Sequence, residues 1–375
     1  MPVAVEQPFS EIPTLDWSLI SSQSPADLER FLADLRHALV NVGFMYLSHS
    51  PVPQPLVDEL IDYIPQLFAL PLEEKKKISM LNSPHFLGYS VQGAEFTKGA
   101  RDNREQFDFA TAYVCPWKEG DPDWQRLWGA PQYPPDSVLP GFRKTVLSYL
   151  SHLQKLSMDF IRLMELALLI PPGQLTQFYD TDEHMQHRSK VVKYPSAEFL
   201  RSEDGDQGVG PHYDAGFFTF VRLLQASPQP GLQVQNRAGQ WIPAPPVPGT
   251  FVVNIGKALE TVTQKVAIAT THRVVSPAKG EGARYSVPFF QSIALSARVG
   301  GAKIQIPKEI LDLKRARGDE VVTDSVNFSE YEREVSGHVQ LIGRIKSHPD
   351  VGQKWYPHMY AEIFPHGAPA FGSVY

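Results

Sequence analysis

The sequence is short of cysteine, of basic charge and of long apolar runs, and each shortage removes a class of function. Cys115 is the only cysteine among 375 residues. No internal disulfide can form, and any metal must be held by histidine and carboxylate because a thiolate cluster is impossible. Lysine and arginine number 35 against 41 aspartates and glutamates, a formal net charge of −6. With no basic surplus to neutralise a phosphate backbone, nucleic acid is a poor main partner and a small molecule the better expectation. The longest apolar run, around "MELALLIPP", is too short and too interrupted to span a bilayer. The opening "MPVAVEQPFSEIPTLDW" lacks the basic and apolar regions of a signal peptide. A cytoplasmic protein without a membrane partner is expected, and oligomeric state is left open.

Proline is abundant, at 33 residues, and hydrophobic residues make up 42%, which suits a globular chain with many loops. The length suits one large or two closely joined domains. Ser24 and Pro25 signal a helix start, and Leu28, Phe31, Leu32, Leu35 and Leu39 follow at helical spacing until Gly43. "FMYLSHS" reads as a strand, "QPLVDELIDYIPQLFAL" as a helix that Pro65 should kink, and residues 141–170 as a third, long helix. The run "EEKKKI" reads as a solvated helical face. Beyond these the pattern turns to short β-branched and aromatic runs: "KVVKYP", "FFTFVRLL", "LQVQN", "TFVVNIG", "THRVV" and "RYSVPFFQSIAL". A polar loop, "RSEDGDQGVG", leads into "GPHYDAGFF", and a charged helical tail includes "NFSEYEREVSGHVQLIG". The expected organisation is a helical N-terminal domain over 1–140, a connecting helix over 141–180, a β core over 181–300 and a helical tail over 301–375.

The chemistry centres on His212-Tyr213-Asp214. Alternate residues of an extended chain point the same way, so an H-x-D pair aims two metal ligands at one point. A non-haem Fe(II) site takes two histidines and one carboxylate. By itself the triplet reads as readily as a solvated turn, since 12 histidines should yield about one such triplet by chance. The stretch "TTHRVVSPAKGEGARYSVPFF" adds His272 at the start of one strand, with Arg284 and Ser286 on one face of the next.

The order H-x-D, H-R-V, R-x-S resembles the Fe(II)/2-oxoglutarate dioxygenases, in the branch of isopenicillin N synthase and the plant flavonoid and gibberellin oxygenases. The stretches "IPTLDW", "VGFMYLSHSPVP", "FALPLEEK" and "GYS" resemble that branch's N-terminal domain. Residues from Val191 to Ser292 resemble its double-stranded β-helix. The resemblance implies an α+β fold with a jelly-roll core, and Fe(II), 2-oxoglutarate and O2 acting on a small organic molecule, in specialised-metabolite biosynthesis. It also implies His212, Asp214 and His272 as iron ligands, and Arg284 and Ser286 on the distal carboxylate of 2-oxoglutarate. Tyr194 has two readings, a further hydroxyl on that carboxylate or a strand packing residue.

Phe290, Gln291, Tyr89 and Phe109 are candidate substrate contacts, with a core role the alternative for Phe290. Arg104 reads as a pocket candidate or as a surface or interdomain ion pair, and Asn254 as a structural hydrogen-bonding residue. His49, His184, His187 and His366 have no competing ligand spacing. Val192 stands where many plant members carry asparagine. Isopenicillin N synthase keeps R-x-S without using 2-oxoglutarate, so an oxidase of that kind is the alternative activity, and a non-catalytic ligand-binding β-helix a third.

Overall fold

The computed structural model describes residues 7–97, 100–200, 207–225, 231–302, 304–318 and 333–368. Residues 201–206 of the expected polar loop and 327–332 of the expected tail helix lie outside the described residues.

The strands are β1 (Thr14–Asp16), β2 (Phe44–Ser48), β3 (Gly88–Ser90), β4 (Phe96–Thr97), β5 (Ala100–Arg101), β6 (Glu105–Ala110), β7 (Arg188–Tyr194), β8 (Gln207–His212), β9 (Phe218–Gln225), β10 (Leu232–Gln235), β11 (Trp241–Pro243), β12 (Phe251–Ile255), β13 (His272–Val275) and β14 (Arg284–Phe290). A major sheet runs β1-β2-β12-β9-β14-β7-β6-β3 and a minor one β11-β10-β13-β8, with β4 and β5 forming a separate hairpin. Apart from the parallel β1–β2 pair, the neighbours are antiparallel. Two such sheets are the double-stranded β-helix expected from the sequence. The N-terminal region is not a separate helical layer, however. Its β1, β2, β3 and β6 extend both edges of the major sheet, because "FMYLS" and "EQFDFA" are strand-forming runs that find open sheet edges.

The helices over the N-terminal part are α1 (Ser18–Ser21), α2 (Pro25–His37), α3 (Gln54–Ala69), α4 (Leu72–Lys77) and α5 (Phe142–Ala167). Ser24 caps α2 by accepting from the Asp27 amide, as its sequence signal implies. A wider π-helical turn over Ala38–Val42 continues it to Gly43, which has φ +71° and where a Cβ would lie 2.4 Å from the Ile268 carbonyl oxygen. α3 continues through Pro65. α5 lays Phe160 against Phe218 and Phe220, with ring centroids 5.7 and 5.5 Å apart. Burying such a ring stabilises the pairing by about 2–3 kcal/mol. The charged run is only partly solvated: Lys76 and Lys77 pair with Glu73 and Glu74, but Lys75 is buried and bonds Glu105 at 2.6 Å.

The short α6 (Lys257–Val262) precedes β13, and α7 (Lys308–Arg317), α8 (Ser336–Ser347), α9 (Pro349–Trp355) and α10 (Pro357–Ile363) form the C-terminal part. No helix among the described residues is long and apolar enough to cross a membrane.

Candidate metal centre and its cleft

His212 is the last residue of β8 and His272 the first of β13, and the two are direct partners in the antiparallel register. Strand pairing therefore closes a gap of sixty residues, leaving the ring centroids 4.2 Å apart. Asp214 follows two residues after His212, in the turn toward β9. Its Oδ1 lies 3.8 Å from His212 Nε2 and 3.9 Å from His272 Nε2. These are too long for hydrogen bonds, and the three atoms converge on one point. Among the described residues, no other group of histidine, cysteine or carboxylate is gathered this way.

The remaining polar atoms of the triad are held from behind. His212 Nδ1 faces the Gly210 carbonyl at 2.8 Å and His272 Nδ1 the Thr270 carbonyl at 3.2 Å. Donation there leaves each Nε2 lone pair free for a metal. Asp214 Oδ2 accepts from Thr219 Oγ1 at 2.5 Å and from Asn254 Nδ2 at 2.7 Å, which reserves Oδ1. Burial pushes both imidazoles down, His272 to about 4 with His212 adding to the effect. Both are thus neutral near pH 7. Burial alone would raise the Asp214 carboxyl, but His272, His212 and the bonds from Asn254 and Thr219 outweigh it and hold it below its ordinary value. The turn is fixed by Gly256, where a Cβ would lie 2.2 Å from the Gly216 oxygen, and by Lys257 N donating to the Asp214 carbonyl at 2.8 Å.

The cleft over this point encloses about 520 Å3 counting its open mouth, and its lining includes Phe44, Arg104, Tyr194, Arg284, Ser286 and Phe290 besides the triad. Arg284, Ser286 and Phe290 share one face of β14 by alternation, and Arg284 and Ser286 are buried. The Arg284 guanidinium sits 5.0 Å from the Tyr194 ring centre, and its buried Nη1 has no hydrogen-bond partner among the described residues. Burial pulls its pKa down. Gly231 leaves the room it needs, since a Cβ there would stand 2.8 Å from Arg284 Cδ. Val209, Leu232 and Val274 make the surroundings apolar, so a complementary anion is the partner this end lacks.

Three expected pocket residues lie elsewhere. Tyr89 and Phe109 point to the outer face of the major sheet, with Tyr89 paired to Phe107 in register and Phe109 stacked on Tyr133 at 5.0 Å. Period-two alternation along β6 decides this: Glu105, Phe107 and Phe109 face outward while Gln106 and Asp108 face inward. Gln291 is buried beyond Phe290 and bonds Tyr179 at 2.9 Å and Ser157 at 3.1 Å. Arg104 forms an ion pair, as one reading has it, but away from the surface. It borders the cleft and is clamped by Glu95 at 2.8 Å and Asp102 at 3.1 Å. Thr219 was not legible as a site residue, although a signal existed. It and Asn254 are lone polar residues in the apolar runs "FFTFV" and "FVVNI", directly opposite each other in register, and a buried polar group in such a run needs a partner.

Two histidine nitrogens and a carboxylate oxygen gathered in a double-stranded β-helix define a mononuclear non-haem Fe(II) oxygenase. The chain belongs to the 2OG-Fe(II) oxygenase superfamily, whose model matches residues 167–293. Residues 12–136 match the family described as the non-haem dioxygenase in morphine synthesis N-terminal region. The chain is similar to 2-oxoglutarate-dependent dioxygenase frbJ of Dothideomycetidae sp., 40% identical over 361 residues and 95% of each chain. It is also similar to a homoarginine-6-hydroxylase of Oryza sativa subsp. japonica, 32% identical over 303 residues, 78% of this chain and 88% of that one. A full-length Neurospora crassa protein, solved in complex with alpha-KG, shares the fold with a TM-score of 0.66 at 23% identity, covering 91% of this chain and 99% of that one. The protein is a 2-oxoglutarate-dependent dioxygenase with Fe(II) and 2-oxoglutarate as cofactors, and it acts on a small molecule.

Proposed function

We propose that His212, Asp214 and His272 hold the iron, and that Arg284, Ser286 and Tyr194 hold the distal carboxylate of 2-oxoglutarate. On this reading a small organic substrate lies against Phe290 and is hydroxylated, desaturated or cyclised in specialised-metabolite biosynthesis. The observation that carries the cosubstrate assignment is that Arg284, which lines the cleft containing the triad, has a buried Nη1 with no hydrogen-bond partner among the described residues. A guanidinium left so is costly unless a ligand completes it, and its planar fork matches a carboxylate.

Together Fe(II) and 2-oxoglutarate supply the oxidising chemistry: one atom of O2 enters succinate as carbon dioxide leaves, and the other serves to oxidise the substrate. The chain supplies position. Thr219 and Asn254 orient Asp214, the Gly210 and Thr270 carbonyls orient the imidazoles, and Arg284 with Ser286 fixes the far end of the keto acid. The apolar wall of Val209, Leu232 and Val274 keeps water from that end.

The test is an anaerobic titration of the protein with Fe(II) and then 2-oxoglutarate, following the visible charge-transfer band, with Arg284→Ala alongside. The variant should bind iron normally and need at least about tenfold more 2-oxoglutarate to reach half-saturation, a loss of about 1.4 kcal/mol or more. An unchanged titration would remove Arg284 from this role.

A further inference from the structure

The inner face of the major sheet beside the iron cleft carries an unusual amount of charge. On β7, Arg188 and Lys190 face inward; on β6, Gln106 and Asp108 do, and Arg104 follows the same alternation one residue before the strand. Glu95 enters among them and accepts from Lys190 Nζ at 3.0 Å, Arg104 Nη2 at 2.8 Å and Gln106 Nε2 at 2.7 Å. Asp102 accepts from Thr97 at 2.8 Å besides Arg104. Asp108 faces Arg344 of α8 at 3.5 Å and Lys190 at 3.9 Å. Arg188 donates to the carbonyls of His85, Phe86 and Leu127. His348 stands 4.0 Å from Glu95, and burial keeps it neutral by pushing it down to about 3.

Among the described residues of this linked set the cations Arg104, Arg188, Lys190 and Arg344 face the acids Glu95, Asp102 and Asp108, one positive charge more than negative. Uncompensated charge away from water is expensive. Arg104 is the member that borders the iron cleft. Its side chain is 12% exposed, and its buried Nε has no hydrogen-bond partner among the described residues. Tyr194 separates it from Arg284: Glu105 pairs with Lys193 and Arg284 with Tyr194, so the three inward side chains form one row across β6, β7 and β14. The cleft is thus lined by two guanidiniums, Arg284 at the β14 end and Arg104 at the β6 end, each with a buried N–H that has no hydrogen-bond partner among the described residues.

We propose that Arg104 anchors an anionic group of the substrate, a carboxylate or similar oxyanion, so that the enzyme oxidises organic acids or amino-acid-like molecules rather than neutral ones. This rests on the assignment of Arg284 to 2-oxoglutarate. Arg104 remains tied to Glu95 and Asp102 through Nη2 and offers Nε to the oxyanion, whose charge balances the cluster.

The probe is acetate, added to the anaerobic Fe(II) and 2-oxoglutarate complex of the full chain, with acetamide as the neutral match and potassium chloride holding ionic strength constant. Formation of the visible band before acetate is added tests the cosubstrate reading; its response to acetate tests Arg104. Acetate should perturb the band saturably without abolishing it, acetamide should not, and Arg104→Gln should weaken the acetate response at least tenfold while half-saturation by 2-oxoglutarate stays within twofold. Arg104→Lys, which keeps the charge and the ion pairs but has no Nε donor, provides a well-folded second variant and should lose at least threefold. A wild-type band indifferent to acetate, or a wild-type acetate response retained in both variants, overturns the proposal. So does a loss of 2-oxoglutarate binding in Arg104→Gln as large as that in Arg284→Ala, which would move Arg104 into the cosubstrate site.

Discussion

Two buried polar clusters lie side by side on this β-helix, and they are built on opposite principles. The charges around Glu95 find one another: Lys190, Arg104 and Gln106 all reach it at 2.7–3.0 Å. The atoms of the triad do not, since His212 and His272 stop 3.8 and 3.9 Å short of Asp214 Oδ1. Instead each triad residue is bound from behind and keeps one lone pair uncommitted. In the charge cluster opposite charges meet in direct contact; in the triad the ligand atoms are kept apart by their supports.

The strongest test of this contrast removes a ligand. His212→Ala or Asp214→Ala should abolish Fe(II) binding and lower turnover more than about a thousandfold, because the metal carries the oxidation. Yet the metal-free His212→Ala protein should lose no more than about 1 kcal/mol of stability, since its ring makes one hydrogen bond to a carbonyl, whereas Asp214→Ala strands the buried Thr219 and Asn254 donors and should cost about 1–3 kcal/mol. Equilibrium dialysis against Fe(II), succinate release and urea unfolding of the apo form read the three quantities. An active His212→Ala variant would end the metal assignment.

Glu95→Ala inverts the pattern. It removes the nearest acid from Lys190, whose side chain is 6% exposed and which keeps only Asp108 at 3.9 Å, and leaves Arg104 to Asp102; breaking a buried pair in this way costs about 3–5 kcal/mol. Urea unfolding should show the midpoint drop, while a folded fraction recovered at low temperature should still bind Fe(II). A shift under about 1 kcal/mol would mean that the cluster is not what ties β6 and β7 to the C-terminal helices.

The same contrast explains what could be read from the chain. His212, His272, Arg284 and Ser286 sit on three short strands, with Asp214 two residues beyond the first, where period-two spacing carries information, and register does the rest. The charge cluster has no such signature. Its members come from residues 95–108, 188–190 and 344–348, and only the folded topology joins them. Lys75 was concealed in the same way, a buried lysine inside a run of solvated ones. Tyr89 and Phe109 were misplaced because an aromatic in a strand tells nothing of which face it takes until the pairing partner is known.

The smallest effect is the most informative about the supports. Asn254→Ala deletes the 2.7 Å bond to Asp214 Oδ2 and leaves Thr219 as the remaining side-chain donor to that oxygen. Losing an outer partner of a metal ligand typically lowers affinity 10–100-fold, and with Thr219 retained about tenfold is expected here. Fe(II) affinity measured by competition with a chromophoric chelator gives the number. Asn254→Asp separates the two roles of the bond: it matches the side chain in shape but sets a second carboxylate against Asp214, so it should weaken iron more than alanine does. If both variants bind iron as the wild type does, Asn254 serves only the β9–β12 pairing, and Asp214 is held by Thr219 and the turn.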